Sequence, residues 1–380
     1  MLTKKSRVAI VQHNIIPGGR LRVILGIIHV LNALNIEPDI ITSVLKIEPM
    51  DISRLYGQDF QAHFLNVPHL RSLGYDASIL WFNYHLRSYA GNYDLLINTS
   101  NSLLLLPPHQ NALSYVFFPR KYRMLSQYFD IHRPGWQPPF WKRERWMRWI
   151  IRPIYRRLSP ASNHRIIAMT EFTRQAIQQV YPNATITDVI YPPVNLRHFQ
   201  SKNTNRIPAL VSVGRFSPDK RQIQQIRLAA QWPNIQFHIV GFSPQHNPYF
   251  HACENEVQRL KLQNVYLHPN APLEELTRLF QTSRYFLHTM INEPFGITAV
   301  QAIAAGCLPL VHDSGGQRET VPEALLRYAS LNEISQRLSR LEALSEKQRQ
   351  DLQRKLQTHV QQFRESRFHE QMSVILKSML

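Results

Sequence analysis

Short apolar segments alternate along this chain with longer segments in which apolar residues recur at helical spacing. This alternation is typical of parallel sheets whose strands are joined by helices that cover both faces. The apolar segments are Val8–Val11, Ile40–Leu45, Leu95–Thr99, Ser114–Phe118, Arg165–Met169, Ala209–Gly214, Ile235–Gly241, Val265–His268, Phe286–Thr289 and Leu308–His312. The sequence therefore predicts an α/β fold with doubly wound parallel sheets. Because 380 residues exceed one ordinary hydrophobic core and 44% of them are hydrophobic, we expect two domains.

Residues 293–306 read Glu-Pro-Phe-Gly-Ile-Thr-Ala-Val-Gln-Ala-Ile-Ala-Ala-Gly and place an acid and a glycine before a predicted helix. Gly296 lets the backbone approach a ligand, and the helix that begins near Thr298 presents N–H groups without partners inside the helix. In front of that helix the Glu293 carboxylate can accept hydrogen bonds from sugar hydroxyls. We expect this stretch to bind a sugar attached to a phosphate. The alternative is a helix end that is capped only for stability.

Two cations follow the apolar segment Ala209–Gly214, in the sequence Gly-Arg-Phe-Ser-Pro-Asp-Lys that ends at Lys220. A turn in this position lies at the carboxyl end of a parallel strand, where α/β proteins bind ligands. Arg215 and Lys220 would neutralise the diphosphate of a nucleotide sugar, most strongly as that group leaves with extra negative charge. The alternative is two solvated cations on a surface turn.

Two pairs of glycines also follow predicted strands. Gly18 and Gly19 separate Val8–Val11 from a long segment with helical periodicity, and Gly315 and Gly316 follow Leu308–His312. Taken alone, each pair indicates only a tight turn.

In this order the segments resemble the retaining GT-B glycosyltransferases of family 4, the glycosyl transferases group 1. Glu293 matches the first acid of the family's Glu-x7-Glu motif, and Arg215 and Lys220 match its Gly-Arg-x4-Lys pair. Residues 315–319 match its Gly-Gly-x-x-Glu loop. The resemblance extends from about residue 7 to about residue 320 and is denser in the carboxyl half. In character it is nearest to mannosyltransferases that act on lipid-linked oligosaccharide.

The resemblance implies a GT-B fold, in which two Rossmann-like domains face a central cleft. Residues 1–195 would bind the acceptor and would be completed by a C-terminal helix at residues 366–380. Residues 196–365 would bind the nucleotide sugar. The segment Tyr191-Pro-Pro-Val matches the family's connection between domains, where two prolines stiffen a hinge.

The resemblance also implies which residues form the site. Glu293, Arg215 and Lys220 would be catalytic. Donor-binding residues would be Gly18, Gly19, Gly214, Phe295, Gly296, Ile297, Thr298, Gln301, Gly315 and Gly316. The donor would be a GDP- or UDP-sugar, and no separate cofactor is expected.

The sequence contains no Asp-x-Asp motif, so we expect a metal-independent reaction. The leaving diphosphate would then be stabilised by cationic side chains and by helix N–H groups. As the anomeric carbon gains oxocarbenium character, the departing phosphate oxygen can take the proton of the acceptor hydroxyl on the same face. The stereochemistry at the anomeric carbon would be retained.

Two positions depart from the family pattern. Gln301 stands at the second acid of Glu-x7-Glu, and an amide lacks the charge with which a carboxylate accepts ribose hydroxyls. Phe117 stands where the related mannosyltransferases have a His. His13 is a candidate to take the place of that missing His, although a lone His is more often a structural residue than a catalyst. These departures leave open a second hypothesis, a noncatalytic relative that binds nucleotide sugars without transferring them.

The window Arg120–Leu158 carries 11 Lys or Arg residues and two acids, and its net positive charge is half of the formal net charge of +18. Four of the six Trp residues lie in the same window. Basic residues with interfacial aromatics favour binding to an anionic membrane surface. The alternatives are an ordinary solvated helix face and a nucleic-acid surface, although no recognisable nucleic-acid module occurs.

Cys253 and Cys307 are the only cysteines, which is too few for a disulfide framework and suggests a reducing compartment. The chain shows no secretory signal, and its longest uncharged apolar stretch, Val23–Ile36, is too short to span a bilayer. We expect a cytoplasmic protein, peripheral on the cytoplasmic face of a membrane.

Overall fold

A computed structural model describes residues 6–16, 18–56, 59–69, 75–102, 106–107, 109–125, 153, 156–157, 160, 164–200 and 206–380. These residues divide into two compact units. The first takes in the described residues of Met1–Gln127 and Phe140–Pro193 together with Glu365–Leu380, and the second takes in those of Val194–Arg364.

The first unit is built on a seven-stranded parallel sheet with strand order β5-β3-β1-β6-β7-β8-β9. The strand order reverses beside β1, as in doubly wound sheets. Its strands are β1 (Val8–Val11), β3 (Asp39–Thr42), β5 (His63–Asn66), β6 (Leu95–Asn98), β7 (Ala112–Val116), β8 (His164–Ala168) and β9 (Ile186–Val189), and β2 (Asn14–Ile15) pairs separately with β4 (Val44–Leu45).

The helices of the first unit include the last helix of the chain. They are α1 (Gly19–Ala33), α2 (Pro49–Tyr56), α3 (Tyr75–Ala90), α4 (Arg120–Leu125), α5 (Glu171–Val180) and α13 (Glu365–Met379). Helix α13 packs on α1, where a side-chain carbon added at Gly26 would lie only 2.7 Å from the ring of Phe368. The His29 and His369 rings stack beside this contact, with centroids 4.3 Å apart. The absence of a side chain at Gly26 therefore allows α13 to dock closely.

The second unit repeats this architecture with a six-stranded parallel sheet of order β12-β11-β10-β13-β14-β15. Its strands are β10 (Ile207–Val213), β11 (Gln236–Gly241), β12 (Val265–Pro269), β13 (Ser283–His288), β14 (Leu308–His312) and β15 (Arg327–Tyr328). Its helices are α6 (Gln222–Ala229), α7 (Pro248–Arg259), α8 (Leu273–Thr282), α9 (Ile297–Ala305), α10 (Gln317–Thr320), α11 (Asn332–Glu342) and α12 (Glu346–His359), with 3-10 turns at Pro218–Lys220, Ala324–Leu326 and Val360–Phe363.

The predicted α/β fold with doubly wound parallel sheets is confirmed in both units. One predicted strand was wrong in extent: Ile40–Leu45 is two strands. The N–H groups of Ser43 and Val44 both donate to the carbonyl of His13, so the chain leaves the main sheet and pairs with β2. Strand β9 overlaps the strand-like residues Thr187–Ile190 that precede the Tyr191-Pro-Pro-Val connection, whereas the short strands β2, β5 and β15 were not predicted.

Gly241 provides a test of the packing at the carboxyl edge of the second sheet. A side-chain carbon at this position would collide with the carbonyl oxygen of Gly214, the residue that follows the neighbouring strand β10. We expect Gly241→Ala to lower the free energy of unfolding by about 1–3 kcal/mol, because a backbone clash cannot be relieved by a rotamer change. Urea denaturation measures the change.

Gly91→Ala is the matched control, since an added carbon there meets no atom within 4 Å. Equal stability losses in the two variants would contradict the account of a specific backbone contact.

Candidate active site

The carboxyl ends of β10 and β13 lie side by side where the strand order of the second sheet reverses. In open α/β sheets this switch point is where ligands bind. Lys220 lies in the turn that follows β10, and His288 and Glu293 lie at and just beyond the end of β13. The topology therefore brings together two segments that are far apart in the sequence.

Lys220 and Glu293 form an ion pair at this switch point. The Lys220 Nζ atom lies 2.6 Å from Glu293 Oε2, and the two side chains are 18% and 17% exposed. Burial alone would raise the pKa of the Glu293 carboxyl, but the Lys220 ammonium and the nearby His288 lower it below its usual value. The site therefore holds a fixed cation and a fixed carboxylate in direct contact.

His288 is buried beside this pair, with 3% of its surface exposed. Its Nε2 lies 3.4 Å from Lys220 Nζ and 3.5 Å from Glu293 Oε2. Burial and the Lys220 charge lower the pKa of His288 to about 3, so the imidazole is neutral near pH 7. His288 was not among the predicted site residues, although its place at the end of a strand before the Glu293 motif was a usable signal.

Backbone contacts hold Lys220 in place. The Thr289 hydroxyl donates to the Lys220 carbonyl at 2.6 Å, and the Gln225 amide donates to the same hydroxyl at 2.6 Å. Thr289 and Gln225 are both buried. These two residues, which were not predicted either, connect the turn after β10 to the end of β13.

The loop after β14 supports the backbone of Glu293. The Gly316 N–H donates to the Glu293 carbonyl at 2.9 Å, and the Asn292 N–H donates to the Ser314 hydroxyl at 2.8 Å. Gly315 has φ +67°, and an added side-chain carbon there would collide with the Glu293 carbonyl oxygen. Both glycines of the predicted loop therefore position Glu293.

Gly296 precedes α9 and has φ +92°, a conformation that favours glycine. Ile297 and Thr298 form the first turn of α9, so the helix begins four residues after Glu293. Phe295 is buried with its ring edge-on to Phe363, at a centroid distance of 5.2 Å.

The other predicted site residues of this unit are placed less directly. Gly214 follows β10, with the aliphatic part of Lys220 against it. Arg215 is exposed beside it. Gln301 lies inside α9 and is only 5% exposed. The roles predicted for Arg215 and Gln301 stay predictions.

Gly18 and Gly19 lie in the first unit, at the start of α1. Gly18 has φ +143°, and Gly19 is the first residue of the helix. In the same unit the Phe117 ring lies beneath the Arg20 guanidinium, 5.1 Å from the ring centroid. The position at which the related enzymes have a His is thus occupied by an apolar ring covered by a cation.

His13 is buried in the first unit, and its Nε2 lies 2.9 Å from the Ser78 hydroxyl. Burial and the neighbouring His69 lower its pKa to about 4. A neutral, buried imidazole that is hydrogen-bonded to a serine fits a structural role for His13 better than the role of a substitute for the missing His.

Most of the basic window Arg120–Leu158 lies outside the described residues, so its predicted membrane contact stays a prediction. At its described edge, Lys121 Nζ lies 4.6 Å from the centroid of the Tyr181 ring. Among the residues that the structure describes, no helix has the length and hydrophobicity needed to cross a membrane.

Comparison with known proteins adds sequence and structural relatives. Residues 195–358 match the family model described as glycosyl transferases group 1. The human GDP-Man:Man(3)GlcNAc(2)-PP-Dol alpha-1,2-mannosyltransferase is 28% identical over 172 residues, which cover 40% of this chain and 35% of that protein. The chain thus matches about a third of the length of this curated relative.

Solved structures resemble the chain over nearly its whole length. Sucrose-phosphate synthase from Thermosynechococcus elongatus has a TM-score of 0.74 at 15% identity, covering 98% of this chain and 99% of that one. Anabaena HepE in complex with UDP and glucose has a TM-score of 0.71 at 16% identity, covering 98% and 100%. At these identities the likeness shows the fold, and the family match confirms the resemblance drawn from the sequence motifs.

The lowered pKa of Glu293 gives a test of the ion pair by pH. A carboxyl whose pKa is depressed in the folded state contributes stability above its unfolded pKa, near 4.5, and loses that contribution as the pH falls through the folded value. We expect the free energy of unfolding of the wild type to exceed that of Glu293→Gln by more at pH 7 than at pH 3. Thermal unfolding of both proteins across this range measures the difference.

Glu254→Gln serves as the control, because Glu254 pairs with His251 at a more exposed position. A difference between wild type and Glu293→Gln that does not change with pH would show that Glu293 is not held as a paired carboxylate.

Proposed function

We propose that this chain, whose residues 195–358 match the glycosyl transferases group 1 model, is a retaining, metal-independent glycosyltransferase. It moves a sugar from a nucleotide diphosphate sugar to a lipid-linked or polysaccharide acceptor. The observation that carries the proposal is the Lys220–Glu293 pair, which lies at the sheet's switch point and close before the N-terminus of α9.

The donor diphosphate is the anion that this arrangement suits. The Lys220 ammonium supplies one positive charge, and the first N–H groups of α9 supply the positive end of a helix. Arg215, which is exposed beyond β10, adds a second cation within the same loop. Each of these groups stabilises negative charge more strongly as the diphosphate leaves, which is how such groups accelerate transfer.

Glu293 accepts hydrogen bonds from the hydroxyls of the donor sugar. The Gly315–Gly316 loop fixes its backbone, so its carboxylate is oriented before the donor binds. Because the leaving phosphate oxygen accepts the acceptor's proton on the face from which it departs, attack occurs on that face and the configuration is retained.

The comparisons suggest which donors to test first. The human relative is named as a GDP-mannose enzyme, and the Anabaena structure contains UDP and glucose. We place GDP-mannose first and UDP-glucose second. The acceptor proposed is a lipid-linked glycan, held by the first unit at the cytoplasmic face of a membrane, with the basic window Arg120–Leu158 on the lipid surface.

A transfer assay tests this function. We expect the purified chain to transfer radiolabelled mannose from GDP-mannose to a lipid-linked oligosaccharide, in the presence of EDTA. Lys220→Ala and Glu293→Ala should each reduce kcat/KM by about 100-fold or more, the size of loss seen when one preorganised electrostatic group is removed.

Lys347→Ala is the control, since Lys347 is exposed on α12, away from the switch point. If the wild type is thermally stabilised by nucleotide sugars but transfers none of them, the chain is the noncatalytic binder of the second hypothesis. Unchanged transfer in Lys220→Ala or Glu293→Ala would contradict the site.

Gln301 allows the departure from the family pattern to be tested directly. If its side chain faces the donor, Gln301→Glu should tighten donor binding about three- to tenfold, because charged acceptors form stronger hydrogen bonds. Isothermal titration with GDP-mannose measures the affinity. If Gln301 serves only to fill the core, the same change buries an unpaired carboxylate and lowers the melting temperature without tightening binding.

A further inference from the structure

Gln317 and His288 form a buried pair behind the Lys220–Glu293 site. The Gln317 side-chain amide nitrogen lies 2.6 Å from His288 Nδ1, and both residues have almost no exposed surface. Gln317 also borders Gly296, where an added side-chain carbon would lie 3.5 Å from the Gln317 amide. The two residues thus connect the loop after β14 to the end of β13 and the start of α9.

The contacts of His288 determine which of its nitrogens carries the proton. Two groups face His288 Nε2: the Lys220 ammonium, which can only donate, at 3.4 Å, and the Glu293 carboxylate, which can only accept, at 3.5 Å. Because Glu293 Oε2 already accepts from Lys220 at 2.6 Å, we assign Nε2 as the acceptor of a second Lys220 N–H. The proton of the neutral ring then lies on Nδ1 and needs an acceptor. Because the oxygen and nitrogen of an amide are interchangeable in shape, the Gln317 oxygen meets this need when the amide is turned over.

One buried polar atom of Gln317 bears on this orientation. As placed, the Gln317 oxygen is buried without a hydrogen-bond partner among the described residues. With the amide turned, the oxygen accepts from Nδ1–H, and the chain of bonds runs in one direction from Lys220 through His288 to Gln317.

We infer that Gln317 and His288 are positioning residues that orient the Lys220 ammonium for the donor diphosphate. One N–H of the ammonium is directed at Glu293 and a second at His288, which leaves the third for a phosphate oxygen. This role rests on the proposed function, but the tautomer of His288 does not.

A nuclear magnetic resonance measurement tests the tautomer without any substrate. In protein labelled with ¹⁵N-histidine, the His288 signals, assigned by their loss in His288→Gln, should show the neutral Nδ1–H form at pH 7. The Nε2–H form would overturn the inference even if the enzyme is active.

Two substitutions at Gln317 then separate positioning from simple packing. Gln317→Leu removes the acceptor for Nδ1–H, and we expect a 10- to 100-fold loss of kcat/KM for GDP-mannose at pH 7. Gln317→Glu restores an acceptor and should recover activity to within about threefold of wild type at pH 8.

The Glu variant should also acquire a new pH dependence. A carboxylate beside Nδ1 favours the imidazolium, which then repels Lys220, while Glu293 and Asp219 are the other charges that act on the ring. Activity of Gln317→Glu should fall from pH 8 to pH 6, where wild-type His288 stays neutral. Gln258→Glu, an exposed change on α7, is the control for added charge.

The outcomes distinguish the two proposals. An active wild type with unchanged Gln317→Leu kinetics overturns the positioning role and leaves the glycosyltransferase intact. Equal loss in both Gln317 variants at every pH indicates packing alone and also overturns it. A wild type that neither binds nor transfers nucleotide sugars overturns the proposed function, while the tautomer measurement still decides the hydrogen-bond order.

Discussion

The partly buried contact between Lys220 and Glu293 is the interaction on which the candidate site depends. Opposite charges withdrawn from water are tolerated when each is paired and further hydrogen-bonded, and such a pair contributes little net stability. The pair instead fixes the positions of the cation and the carboxylate before any ligand binds. Each supporting contact, from Thr289 on one side to Gly316 on the other, holds the backbone that carries one of the two charges.

The sheet explains why this contact forms where it does. Strand order reverses between β10 and β13, so the segments that follow these strands diverge to opposite faces and leave a gap at the carboxyl edge. Lys220 enters this gap from one side and Glu293 from the other. The same reversal beside β1 in the first unit accounts for the position of the Gly18–Gly19 loop at the start of α1.

The fold was predictable from the sequence because parallel strands buried on both faces are nearly continuous apolar runs. The motif residues Lys220, Glu293, Gly296 and Gly315 were predictable because each has a local signature. His288, Thr289, Gln225 and Gln317 were not, since their importance arises from contacts between segments remote in sequence. Strands β5 and β15 were not predicted because they are short edge strands with few apolar residues.

The docking of α13 against α1 has a consequence for how the protein is made. The ribosome synthesises α1 before the second unit and α13 after it, so the surface at Gly26 stays uncovered by Phe368 while the second unit is made. At roughly 5–20 residues per second this delay lasts on the order of tens of seconds. The second unit, whose described residues all lie between Val194 and Arg364, can finish folding before the first unit does, and the nascent chain carries an incomplete apolar surface throughout that interval.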